Sequence, residues 1–328
     1  TTTTSTGSSR SSASRWIDGE MSRMGAGTFC VKGRAALAAC GLAVCAWAGP
    51  LAFTASDAKV AYDTAAGLVK DCTPRDAGTP GALRAAAWLS IRAGARAEID
   101  RFRAPIYDEV HDFANVLLEM PGADPNAPWI ILISHFDTAP KAGKGFEGAN
   151  DGASTSGLLV ALAGMLRHAA ERPRANILLA WTDAEECRIA YMPRDGFQGS
   201  KRLLERVRAA KWTVKAVICL DMLGDRDLNI EIPANSTPAL RREALKAAEA
   251  AGVADKVALR DSIVVKDDHS AFYDAGYPAL ELIDFDYGSA RGRNDYWHTP
   301  QDTMDKISKA SLLASGRLVA ELLNRLAY

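Results

Sequence analysis

Five short apolar runs, at residues 113–118, 129–133, 177–181, 216–220 and 279–283, constrain the fold more than any other feature of the chain. The inner runs are continuous rather than alternating, as strands are when helices cover both faces of a sheet. Helical patterns precede and separate them at residues 57–72, 80–97, 154–170, 199–209, 238–251 and 307–326. The second opens with Thr79-Pro80, a cap followed by proline at the first helical position. Residues 158–166 are apolar nearly all round, so their helix is expected to be central and buried. Residues 121–125 (Pro-Gly-Ala-Asp-Pro) read as a turn between two strands. Neither a repeat nor a domain linker interrupts the pattern. The expectation is a single α/β domain over residues 49–328, with a central mixed sheet and helices on both faces.

The residues that follow the apolar runs carry chemistry. The run at 177–181 leads into Thr182-Asp183-Ala184-Glu185-Glu186-Cys187. Two adjacent glutamates at a half-buried strand end do not both stay ionised without a cation or a shared proton. One carboxylate on a metal and its neighbour free as a base is the useful division; two glutamates on a solvated loop is the bland one. The run at 129–133 leads into Ser134-His135-Phe136-Asp137-Thr138, where His and Asp at i and i+2 can point the same way from an extended segment. A carboxylate so placed suits the orientation of a ligating imidazole, although such a pair is also a common structural one. Asp151 sits in Gly148-Ala149-Asn150-Asp151-Gly152, in a turn or as a plain cap of the buried helix. Asp221 ends another run, and Asp267-Asp268-His269 and Tyr296-Trp297-His298-Thr299-Pro300 follow. Mixed His and carboxylate donors without thiolate suit a catalytic zinc.

The remaining features bound the setting. Residues 1–20 are Ser/Thr-rich without apolar periodicity and read as a disordered or non-native leader. Residues 21–48 carry Arg23, Lys32 and Arg34 before an apolar run ending in Ala46-Trp47-Ala48, the pattern of a signal peptide. Export to a periplasmic or extracellular space is therefore expected, and the run is too short to span a bilayer. Leu37-Ala38-Ala39-Cys40 also resembles a lipoprotein box, a lesser alternative. The net charge is −1, of which residues 1–48 hold +3, leaving −4 on the rest and no basic surface for nucleic acid. Cys72, Cys187 and Cys219 follow the leader, an odd number without CxxC spacing, hence neither a disulfide framework nor a thiolate zinc site. Cys219 reads as a small core residue, and Cys187, next to the glutamates, as the one cysteine with a conceivable role.

Taken in order, S-H-F-D-T, G-A-N-D-G-A-S, D-A-E-E, L-D-M and W-H-T-P-Q-D-T resemble the M28 family of zinc aminopeptidases and their relatives, the animal-type glutaminyl cyclases. The resemblance runs from about Phe113 to the C-terminus and implies a phosphorylase/hydrolase-like α/β fold. It also implies one zinc or two. His135 and Asp221 would hold one metal, Glu186 and His298 another, and Asp151 would bridge. Glu185 would be the general base, and Asp137 would orient His135.

Both activities act on peptide or protein N-termini, and the choice turns on departures. The link from the glutamate pair to Gly199-Ser200 is long, as in the cyclases, where that loop brings an aromatic side chain over the substrate; Tyr191 is the candidate. Asp267-Asp268-His269 follows the cyclase pattern, which implies a carboxylate relay of Glu185, Asp267 and Asp221, whereas aminopeptidases have S-D-H there. Gly152 stands where many two-metal aminopeptidases carry another acidic or amide residue, and Trp297 fits a cyclase pocket wall. Against this, the cysteine pair of the vertebrate cyclases is missing, and Asp225 and Asp227 have no assignment. Glutaminyl cyclase is the favoured expectation, zinc aminopeptidase the alternative, and another amidohydrolase or an inactive binding module the remote ones.

Overall fold

A computed structural model of the chain describes residues 50–328, so the leader and signal segment expected at residues 1–48 lie outside the described residues. Eight strands form one sheet: β1 (Glu98–Ile106), β2 (Glu109–Met120), β3 (Trp129–His135), β4 (Asn176–Thr182), β5 (Val214–Asp221), β6 (Ile230–Pro233), β7 (Val257–Arg260) and β8 (Ala279–Ile283). Their order is β1-β2-β4-β3-β5-β8-β6-β7. The middle four, β4-β3-β5-β8, are mutually parallel. An antiparallel pair, β1 and β2, flanks them on one side. On the other, β6 runs antiparallel to β8 and pairs in parallel with β7. The sheet is mixed, as expected.

Helices α1 (Ala55–Cys72), α2 (Pro80–Ala93), α3 (Thr155–Arg167), α5 (Pro238–Ala250) and α7 (Lys309–Ala327) share one core with Ile130, Leu132, Ile177, Leu179, Ile218 and Leu220. The alternate residues Ile131, Ile133, Leu178, Ala180 and Val217 belong to a second core, with Leu203, Leu204 and Val207 of α4 (Gln198–Ala209) and Phe272 of α6 (Asp268–Asp274). Neighbouring side chains of a strand point to opposite faces, and here both faces are covered, which is why these runs are continuous. The apolar stretch of α3 lies buried against α1, where a Cβ on Gly157 would meet the carbonyl oxygen of Ala61 at 2.2 Å.

Four elements escape the apolar pattern. The helix expected to reach residue 97 ends at Ala93, because Gly94 adopts φ +114°, and β1 follows. This strand lies at an edge with only Asp100 and Ile106 buried, and Arg202 of α4 is forked onto Asp100 at 3.0 and 3.1 Å. Strands β6 and β7 have four residues each and α6 has seven, too few for a period to register. What the topology does for function is direct: His135 and Asp221 end parallel strands, and Glu185 and Glu186 follow another. The carboxyl ends of parallel strands gather at one side of the sheet.

Candidate metal centre and active site

Asp151, in the turn Ala149–Ser154 before α3, joins two sets of side chains. Its Oδ1 lies 3.1 Å from His135 Nε2, and Asp221 Oδ1 stands 3.1 Å from the same nitrogen. Its Oδ2 lies 3.3 Å from His298 Nε2, with Glu186 Oε1 at 2.9 Å from that nitrogen. Donor atoms of His135, Asp151 and Asp221 fall within 4.8 Å of one another, and so do those of Asp151, Glu186 and His298. Two triplets of one imidazole and two carboxylates thus share a single carboxylate.

Their electrostatics are those of a cation site. Burial opposes charge on His135, yet Asp137, Asp151 and Asp221 outweigh it and hold the imidazole well above its ordinary range. At His298 burial is likewise outweighed, and Asp151 and Glu186 push it up to about 10. Burial and the charge of Asp151 raise Glu186 to about 7. Buried Asp151 Oδ2 accepts no hydrogen bond, although it faces an imidazole nitrogen. An orphaned buried anion aimed at a ring nitrogen is satisfied by a metal ion between them. The donor set fits zinc.

Glu185 stands apart from both triplets. Burial, then Asp267 and Glu186, hold its carboxyl well above the usual range, which suits a group that takes and returns a proton. Asp267 caps α6 and is itself raised by burial and by Glu281 and Asp221. The expected relay of Glu185, Asp267 and Asp221 is coupled through charge, and no direct hydrogen bond joins the three. Asp137 lies 3.6 Å from His135 Nδ1, beyond hydrogen-bond length. Its oxygens instead accept the backbone N–H groups of Glu185 at 3.2 Å and Glu186 at 3.1 Å. Its firmest hold is on the glutamate pair.

These groups open into a cavity of about 250 Å³, walled by Tyr191, Phe285, Trp297 and Val265, with Glu185 and Asp267 on its lining. Trp297 stacks on the ring of His298 at 3.9 Å. Tyr191 donates to Glu186 Oε2 at 2.9 Å and stacks on Phe197, ring centres 5.0 Å apart. The loop that carries it is folded by Asp195, which accepts the N–H groups of Arg188, Ile189 and Ala190 at 2.8, 2.8 and 3.0 Å. Cys187 is not an activated thiol: burial and Asp195 push it up to about 11.

Several supports carry little signal in the sequence. Asp302 accepts from the N–H of Asn150 at 2.8 Å, that of Asp151 at 3.2 Å and Tyr287 Oη at 2.6 Å. Its place in W-H-T-P-Q-D-T is the one hint of this. Arg75, fully buried, reaches the carbonyls of Phe136, Glu147 and Gly148 at 2.5, 2.7 and 2.6 Å. Ala184, Met222 and His298 adopt φ of 57°, 55° and 54°, left-handed positions, the first two just after the ends of β4 and β5 and the third in the loop that follows β8. Each costs of order 1 kcal/mol or more. Gly152 has φ +91°, and a Cβ there would stand 3.0 Å from the His135 ring. That approach explains why no acidic side chain occupies the position. His269 faces away from the metal donors, and Asp225 lies by Asp284, outside the cavity lining, its carboxyl raised to about 6 by burial.

The sequence profile of peptidase family M28 matches residues 115–323. The chain belongs to peptidase family M28. A glutaminyl-peptide cyclotransferase from Drosophila melanogaster is 26% identical over 247 residues, covering 65% of this M28 chain and 65% of that protein, just under two thirds of its length. The solved structure of a glutaminyl cyclase from an Acidobacteriales bacterium superposes with a TM-score of 0.76 at 33% identity, over 83% of this chain and 94% of that one. A leucine aminopeptidase precursor from Bacteroides thetaiotaomicron shares the fold, with a TM-score of 0.72 at 23% identity over 84% and 99% of the chains. The expected family and the mixed-sheet α/β fold are both found.

Proposed function

We propose that this M28 protein is a zinc-dependent glutaminyl cyclase, converting an N-terminal glutamine of peptides or proteins to pyroglutamate with release of ammonia. The observation that carries the reading is the place of Asp267: a third buried carboxyl on the cavity wall beside Glu185 and Asp221, outside both donor triplets. The relatives named glutaminyl cyclase support it. Asp151, Glu186 and His298 would hold the zinc. Bound there, zinc supplies a Lewis acid that polarises the γ-carbonyl of the substrate glutamine.

The chain's own groups do the rest. Tyr191, Phe285 and Trp297 enclose the glutamine side chain, fold it back toward its own amine and exclude water. Glu185 accepts a proton from the α-amino nitrogen as that nitrogen bonds to the carbonyl carbon of the side-chain amide. The same carboxyl then donates the proton to the departing amide nitrogen, which leaves as ammonia. A base contributes roughly 10²–10⁴-fold in such a step.

The triplet His135, Asp151 and Asp221 favours a second reading, because two adjacent donor sets sharing a carboxylate are what a two-metal aminopeptidase requires. One assay separates them: ammonia release from a Gln-initiated peptide against chromophore release from Leu- or Ala-p-nitroanilide. Turnover of the anilides alone would overturn the cyclase reading. Export rests on residues 21–48; recovery of the native protein from the cytosol with that segment attached would refute it. Among the described residues no helix is long and apolar enough to cross a membrane.

A further inference from the structure

Behind the cavity wall, outside the two donor triplets already described, a third group of buried side chains converges. Asp267 is on the wall; Glu281 of β8 and Cys219 of β5 lie behind it, all three at most 3% exposed. One atom from each, Sγ of Cys219 and a carboxylate oxygen of the other two, falls within 4.8 Å of the rest. Cys219 and Glu281 are register partners on neighbouring parallel strands, so they point to the same face of the sheet. Asp267 reaches them from the cap of α6, its Oδ1 3.4 Å from Cys219 Sγ. Two strands and a helix cap thus fix the three positions.

The group is short of partners. Both carboxylate oxygens of Glu281 are buried without a hydrogen bond. So is Nδ1 of His269, on α6, which stands 2.6 Å from Glu281 Oε2 without bonding it. The ring is anchored from its other side, where Nε2 lies 2.9 Å from Asn235 Nδ2, so Nδ1 is the nitrogen left facing the group. Among the described residues no lysine or arginine pairs with Asp267 or Glu281. A buried carboxylate with neither a donor nor a counter-charge is costly. The same signature, an orphaned buried carboxylate oxygen beside an imidazole nitrogen, marks the centre at Asp151 and His298.

We propose that Cys219, Asp267 and Glu281, with His269 Nδ1 as the fourth donor, form a further binding site for a divalent transition-metal cation of the zinc type. One thiolate, one imidazole and two carboxylates suit four-coordinate zinc or cobalt. The sulfur disfavours calcium and magnesium, which take oxygen ligands. Loading is an exchange: the Sγ–metal bond forms as the S–H bond breaks, and the thiol proton leaves to water. Asp267, on the lining of the cavity, marks the way in. Cys-x-x-Cys spacing is not required here, because the ligands come from separate elements and only the fold brings them together. The site stands whichever N-terminal reaction the enzyme catalyses.

The test is cobalt substitution in the full chain. Chelator-stripped protein reloaded with cobalt(II) is expected to show a near-ultraviolet thiolate-to-cobalt charge-transfer band, which the two thiolate-free triplets cannot give. The band is expected to vanish in Cys219→Ser and to persist in Cys72→Ser and in Cys187→Ser, the rival thiol beside Glu186. Zinc content of protein dialysed against zinc should fall by roughly one ion per chain from wild type to Glu281→Gln. Wild type without the band would overturn the proposal. So would a band that survives Cys219→Ser, a band lost in Cys187→Ser, or equal zinc content in wild type and Glu281→Gln. Should Cys219→Ser fail to fold, Glu281→Gln carries the assignment, with the band expected to weaken or vanish and an unaltered band counting against the site. If wild type shows the band but turns over only the anilides, the cyclase reading fails while this site stands.

Discussion

Tyr191 donates its phenol hydrogen to Glu186 Oε2 at 2.9 Å, from a loop in which its ring stacks on Phe197. The bond occupies the oxygen of Glu186 that does not face His298. A phenol bonded to a carboxylate is worth about 1.5–3 kcal/mol. Tyr191→Phe keeps the ring and its stacking but loses this bond. Zinc content is expected to stay at the wild-type value while kcat/KM for the Gln-initiated peptide falls roughly tenfold or more. A Tyr191→Phe enzyme with wild-type kcat/KM would show that the phenol has no part in the site.

The paired glutamates should fail in different ways. Glu186 Oε1 stands 2.9 Å from His298 Nε2, inside a donor triplet, whereas Glu185 belongs to none. Glu186→Gln is expected to weaken zinc binding, with added zinc restoring part of the rate. Glu185→Gln is expected to bind zinc and a competitive inhibitor normally while kcat drops roughly 10²–10⁴-fold. Metal analysis beside steady-state kinetics checks both. Full zinc and a wild-type rate in Glu185→Gln would remove the base assignment.

Much of this site was legible because its residues sit at the ends of apolar runs. His135, Asp221 and the glutamate pair are reached by counting from strands, and the parallel order brings those ends together. Tyr191 was legible as a candidate, but its bond to Glu186 was not, since it depends on how Asp195 folds the loop. Asp137 reads as a partner for His135, yet the left-handed turn at Ala184 carries the N–H groups of Glu185 and Glu186 onto it. Glu281 looks like an outward polar residue in an apolar strand until α6, too short to leave a period, brings His269 over it. Arg75 lies 60 residues and more before the groups it holds, and no local pattern connects them.

Away from the metal donors, Asp284 gives a stability prediction with a definite sign. It is buried, accepts the N–H groups of Asn229 and Asp286, and is raised to about 8 by burial, with Asp225 adding to the shift. An unfolded Asp ionises near pH 3.9. A carboxyl with a raised folded pKa contributes stability that is complete below the unfolded value and lost as pH rises through the folded one. The thermal midpoint is expected to fall between about pH 4 and pH 8 through this group and to level off above. In Asp284→Asn, which stays neutral and keeps one acceptor, the slope across that window should be shallower. Equal slopes in calorimetric scans of the two proteins would contradict the assignment.

Arg75 permits a prediction in which charge and geometry pull in opposite directions. Its guanidinium bonds the carbonyl of Phe136, next to His135, and those of Glu147 and Gly148, just before Asp151. One side chain thereby ties together the segments that carry two of the proposed ligands. If its charge were what mattered, removing a cation beside the site would leave Asp137, Asp151 and Asp302 less compensated, and zinc would bind more tightly. If its fork of hydrogen bonds matters, the Asp151 turn loosens and zinc binds more weakly, by roughly 10–100-fold for a lost outer-shell partner. The fork should win, because each buried carbonyl left without a donor costs about 1–3 kcal/mol. Arg75→Met and Arg75→Lys are therefore both expected to lose zinc affinity in a chelator competition titration, the lysine variant less so. Circular dichroism should confirm that each variant remains folded. Tighter zinc binding by folded Arg75→Met would mean that Arg75 acts on the centre through its charge alone.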